Sequence, residues 1–124
     1  MINRKHRFHG RGSLRFVYQK GKTLRGPYAS VKYIANPRRA SYRMAVVVSR
    51  KVHKSAVVRN RIRRRVYEVA REYEGQFQGA YDIVVTIFSD QVATMESVEL
   101  RRRFVDKLVE AEILSAKAAD KSDS

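Results

Sequence analysis

A chain of 124 residues, 44% of them hydrophobic, can build one modest core but not two, and is too apolar to be a disordered basic tail. It has no cysteine, which excludes disulfides, cysteine-ligated zinc and iron–sulfur clusters and suits a reducing cytoplasm. The formal net charge is +15, and it is divided unevenly: residues 1–65 hold 20 Lys or Arg and no Asp or Glu, whereas residues 66–124 hold 7 Lys or Arg and all 12 carboxylates.

Met1-Ile2-Asn3-Arg4-Lys5 is basic, but no apolar stretch follows it, so a signal peptide is not expected. No apolar run approaches the ~20 residues that span a bilayer. Residues 1–12 read as a basic extended arm with glycines at Gly10 and Gly12. Ser13 is a suitable cap for a helix over 13–20, in which Leu14, Val17 and Tyr18 share a face and Gly21 ends the run.

Gly26-Pro27 marks a turn, and Val31 and Tyr33 alternate with Ser30 and Lys32 as in a half-buried strand. After the Asn36-Pro37 turn, Tyr42 to Val48 carries the run Met44-Ala45-Val46-Val47-Val48, which predicts a central strand covered on both faces. A basic loop follows over 49–55. From Ala56 to about Tyr73 the period is helical: Ile62, Val66, Val69 and Tyr73 fall within an arc of about 60°. Tyr81 to Phe88 reads as another buried strand, Asp90 to Thr94 as a connection, and 95–114 as a helix with Leu100, Phe104 and Leu108 inward. The expected fold is α+β, a single small sheet with helices packed on it in the order αβββαβα. One domain would span 13–114, and 115–124 would be a flexible tail.

The concentrated chemistry lies at the start of the second helix. Arg59-Asn60-Arg61-Ile62-Arg63-Arg64-Arg65 places five arginines in seven residues. With Ile62 inward, Asn60 and Arg64 point outward and Arg61 and Arg63 flank them. A guanidinium can give phosphate two hydrogen bonds at once, and a helix N-terminus adds free N–H groups and a positive dipole end. Packing like charges this closely costs stability unless a polyanion neutralises them. A membrane surface is a poor candidate for that polyanion, because no bulky apolar residue flanks the basic face. DNA binding by a helix-turn-helix is disfavoured, because strand and loop precede the basic helix.

The segment Ser49-Arg50-Lys51-Val52, followed by Ala56-Val57-Val58-Arg59-Asn60-Arg61-Ile62-Arg63-Arg64, resembles the signature of the bacterial ribonuclease P protein component: a valine-rich strand, a basic loop, then an Arg-Asn-Arg box opening a long helix. The resemblance covers roughly residues 3–112. It implies a fold like the second domain of a small-subunit ribosomal protein, with a left-handed βαβ crossover. It also implies a function: assisting a catalytic RNA in endonucleolytic removal of the 5′ leader from precursor transfer RNA, in the cytoplasm, as one protein copy per ribonucleoprotein. The partners it implies are the catalytic RNA and the single-stranded leader, and Mg²⁺ would be bound mainly by the RNA.

Carried over by position, the RNA-binding residues would be Arg59, Asn60, Arg61, Arg63, Arg64 and Arg65, with Asn60 a candidate indirect metal contact. Arg50, Lys51 and Lys54 would contact phosphate, and Leu14, Tyr18, Val31 and Tyr33 would line the leader cleft. Where the family often has two phenylalanines four apart in the first helix, this chain has Leu14 and Tyr18, so one stacking ring is missing.

No catalytic residue is expected in the protein itself. The basic half has no carboxylate, and His6, His9 and His53 have no partner by spacing; histidines so placed suit phosphate contacts. Asp82 and Asp90 would lie ~25 Å apart along a strand, too far to share a metal. The competing reading is a structural ribosomal protein of similar fold. It would not need the box and a leader cleft together.

Overall fold

The computed structural model describes His6 and residues 11–117, and only the backbone of 11–13. Helix α1 is Arg11–Lys20, beginning two residues before Ser13; the side chain of Ser13, and with it the expected cap, lies outside the described residues. Gly21 closes α1, donating its N–H to Val17 O at 2.8 Å. A Cβ there would sit 2.6 Å from Val17 O and 2.9 Å from Tyr33 O, so only glycine lets α1 pass this close to the sheet.

Strands β1 (Lys22–Arg25), β2 (Ala29–Ala35) and β3 (Arg43–Val47) come next, then helix α2 (Ala56–Glu72), strand β4 (Tyr81–Ile87) and helix α3 (Ser97–Glu110). The order is the expected αβββαβα. The connection at Asp90–Ala93 is a 3₁₀ turn. Strand β1 is one that the sequence pattern does not announce at these residues; it is short and carries little apolar alternation. Most of the arm over 1–12, and residues 118–124 of the tail, lie outside the described residues.

The four strands are ordered β1-β2-β4-β3. Strand β4 enters the middle of the sheet, antiparallel to β2 and parallel to β3, with α2 forming the β3–β4 crossover. This corrects the expectation for Met44–Val48. Their strand is an edge, buried on alternate residues only, and β2 and β4 are the interior strands. Five apolar residues in a row look alike whether both faces are covered or one is merely half covered.

The two faces differ. Val31 on β2, Met44 and Val46 on β3, and Ile83, Val85 and Ile87 on β4 pack with Ile62, Val66 and Val69 of α2 and Leu100, Phe104 and Leu108 of α3. The helical arc read from the sequence is thus the buried stripe of α2. Ile113 and Leu114, just past α3, complete this core, and Leu114 bridges to Phe77.

The opposite face is crossed by register-matched rows: Ser30, Thr86 and Val47; Lys32, Val84 and Ala45; Ile34, Asp82 and Arg43. Helix α1 lies on this face, with Val17 fully buried and Tyr18 beside Lys32. At its edge, the Asp82 carboxylate, 2% exposed, accepts two hydrogen bonds from Arg43, at 2.9 and 3.0 Å, and one from Asn36 at 2.9 Å. A buried carboxylate held by a two-pronged guanidinium and an amide has its lone pairs satisfied, and it fixes the β3–β4 pairing.

Candidate nucleic-acid interface

The parallel strands β3 and β4 end on the same side of the sheet, and there the chain places its basic loop and the start of α2. Ser55 caps α2, its Oγ accepting from the Val58 N–H at 3.3 Å. The loop is tied down: Val52 N–H donates to Ser49 O at 3.1 Å, and Ser55 N–H to His53 Nδ1 at 3.0 Å. His53 is therefore a loop-forming acceptor through Nδ1 in this conformation. Arg50, Lys51 and Lys54 stand exposed.

The box arginines divide into two kinds. Asn60 and Arg64 are exposed, as helical geometry predicted, and so is Arg61, expected on the flank. Arg59 donates to His53 O at 3.0 Å and Lys54 O at 2.8 Å, so it clamps the loop to the helix. With five N–H groups in the guanidinium, this fixes its position without exhausting its donors. Arg63 donates to Asn60 Oδ1, which ties the two side chains together on the exposed face of α2.

Arg65 is a correction. It turns away from the outer surface and donates to Val92 O at 2.6 Å and to Met95 O, pinning the 3₁₀ turn against α2. Burial, and then the nearby Arg61, lower its pKa from the usual guanidinium value. At 3.6 residues per turn it lies between the buried stripe and the exposed face, so its direction depended on an acceptor that the sequence did not reveal.

The cleft residues need a second correction. Leu14 is half-buried and Tyr18 is 43% exposed on α1, with Lys32 Nζ 5.8 Å from the Tyr18 ring centre. Val31 and Tyr33, however, point to the other side of the sheet. Val31 is 1% exposed in the core, and Tyr33 packs edge-on against Tyr81, 6.5 Å between ring centres. A strand offset of one residue exchanges the faces. The residues sharing a surface with Tyr18 are Ser30, Lys32, Ala45, Val47 and Thr86, all half-buried. Val31 itself carried the signal: a valine on a strand that alternates with lysine belongs to the closed side.

The cations of the second half are largely spent on acids. Arg71 pairs with Glu68, Arg101 with Glu72, Arg103 with Glu99 and Lys107 with Glu110. Among the described residues, Arg50, Lys51, Lys54, Arg61 and Arg64 have no such partner. Lys20, Lys22 and Arg38, toward the other end of the sheet, also lack an acid partner, but the basic loop and the start of α2 bring five such cations together within fifteen residues, from Arg50 to Arg64.

His6 is not at that end. Its ring stacks on Tyr42, 4.2 Å between centres, and its Nδ1 lies 3.0 Å from Tyr42 O, so it does not serve as a phosphate contact here. Tyr42 in turn donates to Glu74 at 2.9 Å, and burial together with that carboxylate pushes its phenol pKa up. Among the described residues, no three His, Cys, Asp or Glu side chains gather to hold a metal ion, and no helix is long and apolar enough to cross a membrane.

The profile of the family described as Ribonuclease P matches residues 2–112. A ribonuclease P protein component from Pseudanabaena sp. (strain PCC 6903) is 36% identical over 87 residues, covering 70% of this chain and 75% of the relative. One from Chloroflexus aurantiacus is 34% identical over 115 residues, covering 93% and 84%. Among solved structures, the RNase P protein of Staphylococcus aureus superposes with a TM-score of 0.79 at 22% identity, covering 89% of this chain and 98% of that one. The Thermotoga maritima RNase P protein gives a TM-score of 0.70 at 25% identity, covering 78% and 89%.

Proposed function

The chain belongs to the ribonuclease P protein family, and from that premise we propose that it positions RNA for a catalytic RNA partner during removal of the 5′ leader from precursor transfer RNA. The observation that carries this reading is the collection of unpaired cations, Arg50, Lys51, Lys54, Arg61 and Arg64, at the sheet end where α2 begins. Guanidinium and ammonium groups held on a capped helix and a tied loop meet phosphates at little cost in ordering. Asn60, fixed by Arg63, presents its amide N–H groups among them. These residues grip the folded catalytic RNA.

The half-open sheet face beside α1 takes the single-stranded leader. Tyr18 offers a ring for a base, Lys32 a charge for the phosphate between bases, and Ser30 and Thr86 hydroxyls along the same surface. Leu14 supplies apolar contact without a stacking ring. Arg65 and Arg59 act one step removed, holding the turn and loop that frame the surface.

Cleavage itself belongs to the RNA, in the cytoplasm, with Mg²⁺ supplying the activated water when bound there. This chain's own groups bind, orient and screen charge. Reconstitution tests this directly: purified chain, catalytic RNA and precursor are combined at low Mg²⁺ and compared with each component alone. The expected result is leader removal by the mixture, far faster than by the RNA alone, and none by the protein alone. Cleavage by the protein alone would refute the assignment, as would a protein that leaves the RNA's rate unchanged.

A further inference from the structure

Phe88 follows the last residue of β4 and is 41% exposed, unusual for a large ring so close to a central strand. Its N–H donates to Tyr28 O at 2.7 Å, so the β2–β4 ladder runs on through this position and holds the backbone firmly. By alternation from Val84 and Thr86, its side chain falls on the face that carries α1. Arg25, at the end of β1 and paired in register with Ser30, places its guanidinium 4.9 Å from the Phe88 ring centre. One side of the ring is thus capped by a cation, while 41% of the residue stays exposed to solvent. This is also the end of the sheet where β3 runs into the basic loop of Arg50, Lys51 and Lys54.

We infer that the Arg25–Phe88 pair is a base-stacking platform for single-stranded RNA, placed where a strand leaving the α1 face turns toward the basic loop. The inference rests on the leader-binding reading above and extends it to a second ring. The exposed part of Phe88 accepts a nucleobase. Arg25, stacked beneath, polarises the ring and supplies positive charge for the adjoining phosphate. The continuous row from Arg25 through Ser30 and Thr86 to Val47 gives the strand a surface between Tyr18 and Phe88. An RNA strand fits better than an apolar peptide, because the ring is flanked by arginine and the surface leading to it carries Lys32.

The test uses the full chain assembled with the catalytic RNA, and precursors with a long leader or none. Phe88→Ala should weaken binding of the leader-bearing precursor about five- to hundredfold, the range of one base stack removed, and leave the leaderless RNA unaffected. Phe88→Trp should retain affinity. Since the chain has no other tryptophan, its emission should change when the leader-bearing precursor is added and stay constant with the leaderless one. Equal losses on both RNAs, or no loss with Phe88→Ala, would overturn the platform. Tyr18→Ala measured in parallel separates the two readings. A leader-specific loss there with none at Phe88 removes only the platform; no leader-specific loss at either ring removes leader binding on this face altogether.

Discussion

The two sides of the four-stranded sheet have been put to different use. On one, α2 and α3 close over Val31, Met44, Val46, Ile83, Val85 and Ile87. On the other, the single helix α1 seals Val17 over the sheet and leaves a margin of lysine, hydroxyls and short aliphatic side chains half-covered. A sheet of four strands has one face too many for a chain this size to bury. The lesson is that the side with less packing is available for binding, while the side with more supplies the stability that holds it in shape.

That division can be broken experimentally. The largest effect should come from Ile83→Ala on the closed side. It opens a cavity in the core and should cost about 2–5 kcal/mol in denaturant unfolding. A cost under about 1 kcal/mol would mean that the core is not where the structure puts it.

Next comes Arg65→Ala, which strands two carbonyls on the turn beneath α2 and should cost about 1–3 kcal/mol of stability. RNA affinity measured below the unfolding transition should change far less than for an outward arginine. The converse variant, Arg61→Ala with Arg64→Ala, should leave unfolding within about 0.5 kcal/mol of the parent. It should reduce the slope of log affinity against log salt by about one for each phosphate no longer neutralised. An unchanged slope would take both residues out of the RNA interface.

Much of this was legible beforehand. The buried stripe Ile62–Val66–Val69–Tyr73 and the outward Asn60 and Arg64 followed from helical geometry alone, and the element order from changes of period. What failed shares a physical cause. The run Met44–Val48 looks central because apolar side chains do not say how many layers cover them. Val31 and Tyr33 are an exception: their alternation with Ser30 and Lys32 marks theirs as the closed side, and it is the resemblance, not the pattern, that puts them in the cleft. Arg65 looks like its neighbours because its acceptors, Val92 O and Met95 O, are backbone atoms 27 and 30 residues away. His6 meets Tyr42 across 36 residues, a pairing no local pattern announces. Val31 and Tyr33 apart, each miss concerns a partner brought in by tertiary structure; each success concerns periodicity within one element.

The smallest change on the molecule makes the sharpest test of which sheet face meets RNA. Affinity for precursors with and without a leader, in the presence of the catalytic RNA, is compared for the parent, Tyr18→Ala and Tyr33→Ala. If the α1 side carries the leader, Tyr18→Ala shrinks the advantage of the leader-bearing RNA, by about 1–3 kcal/mol for a missing base stack, and Tyr33→Ala preserves it. The opposite pattern, with the advantage gone at Tyr33 and intact at Tyr18, would contradict the account.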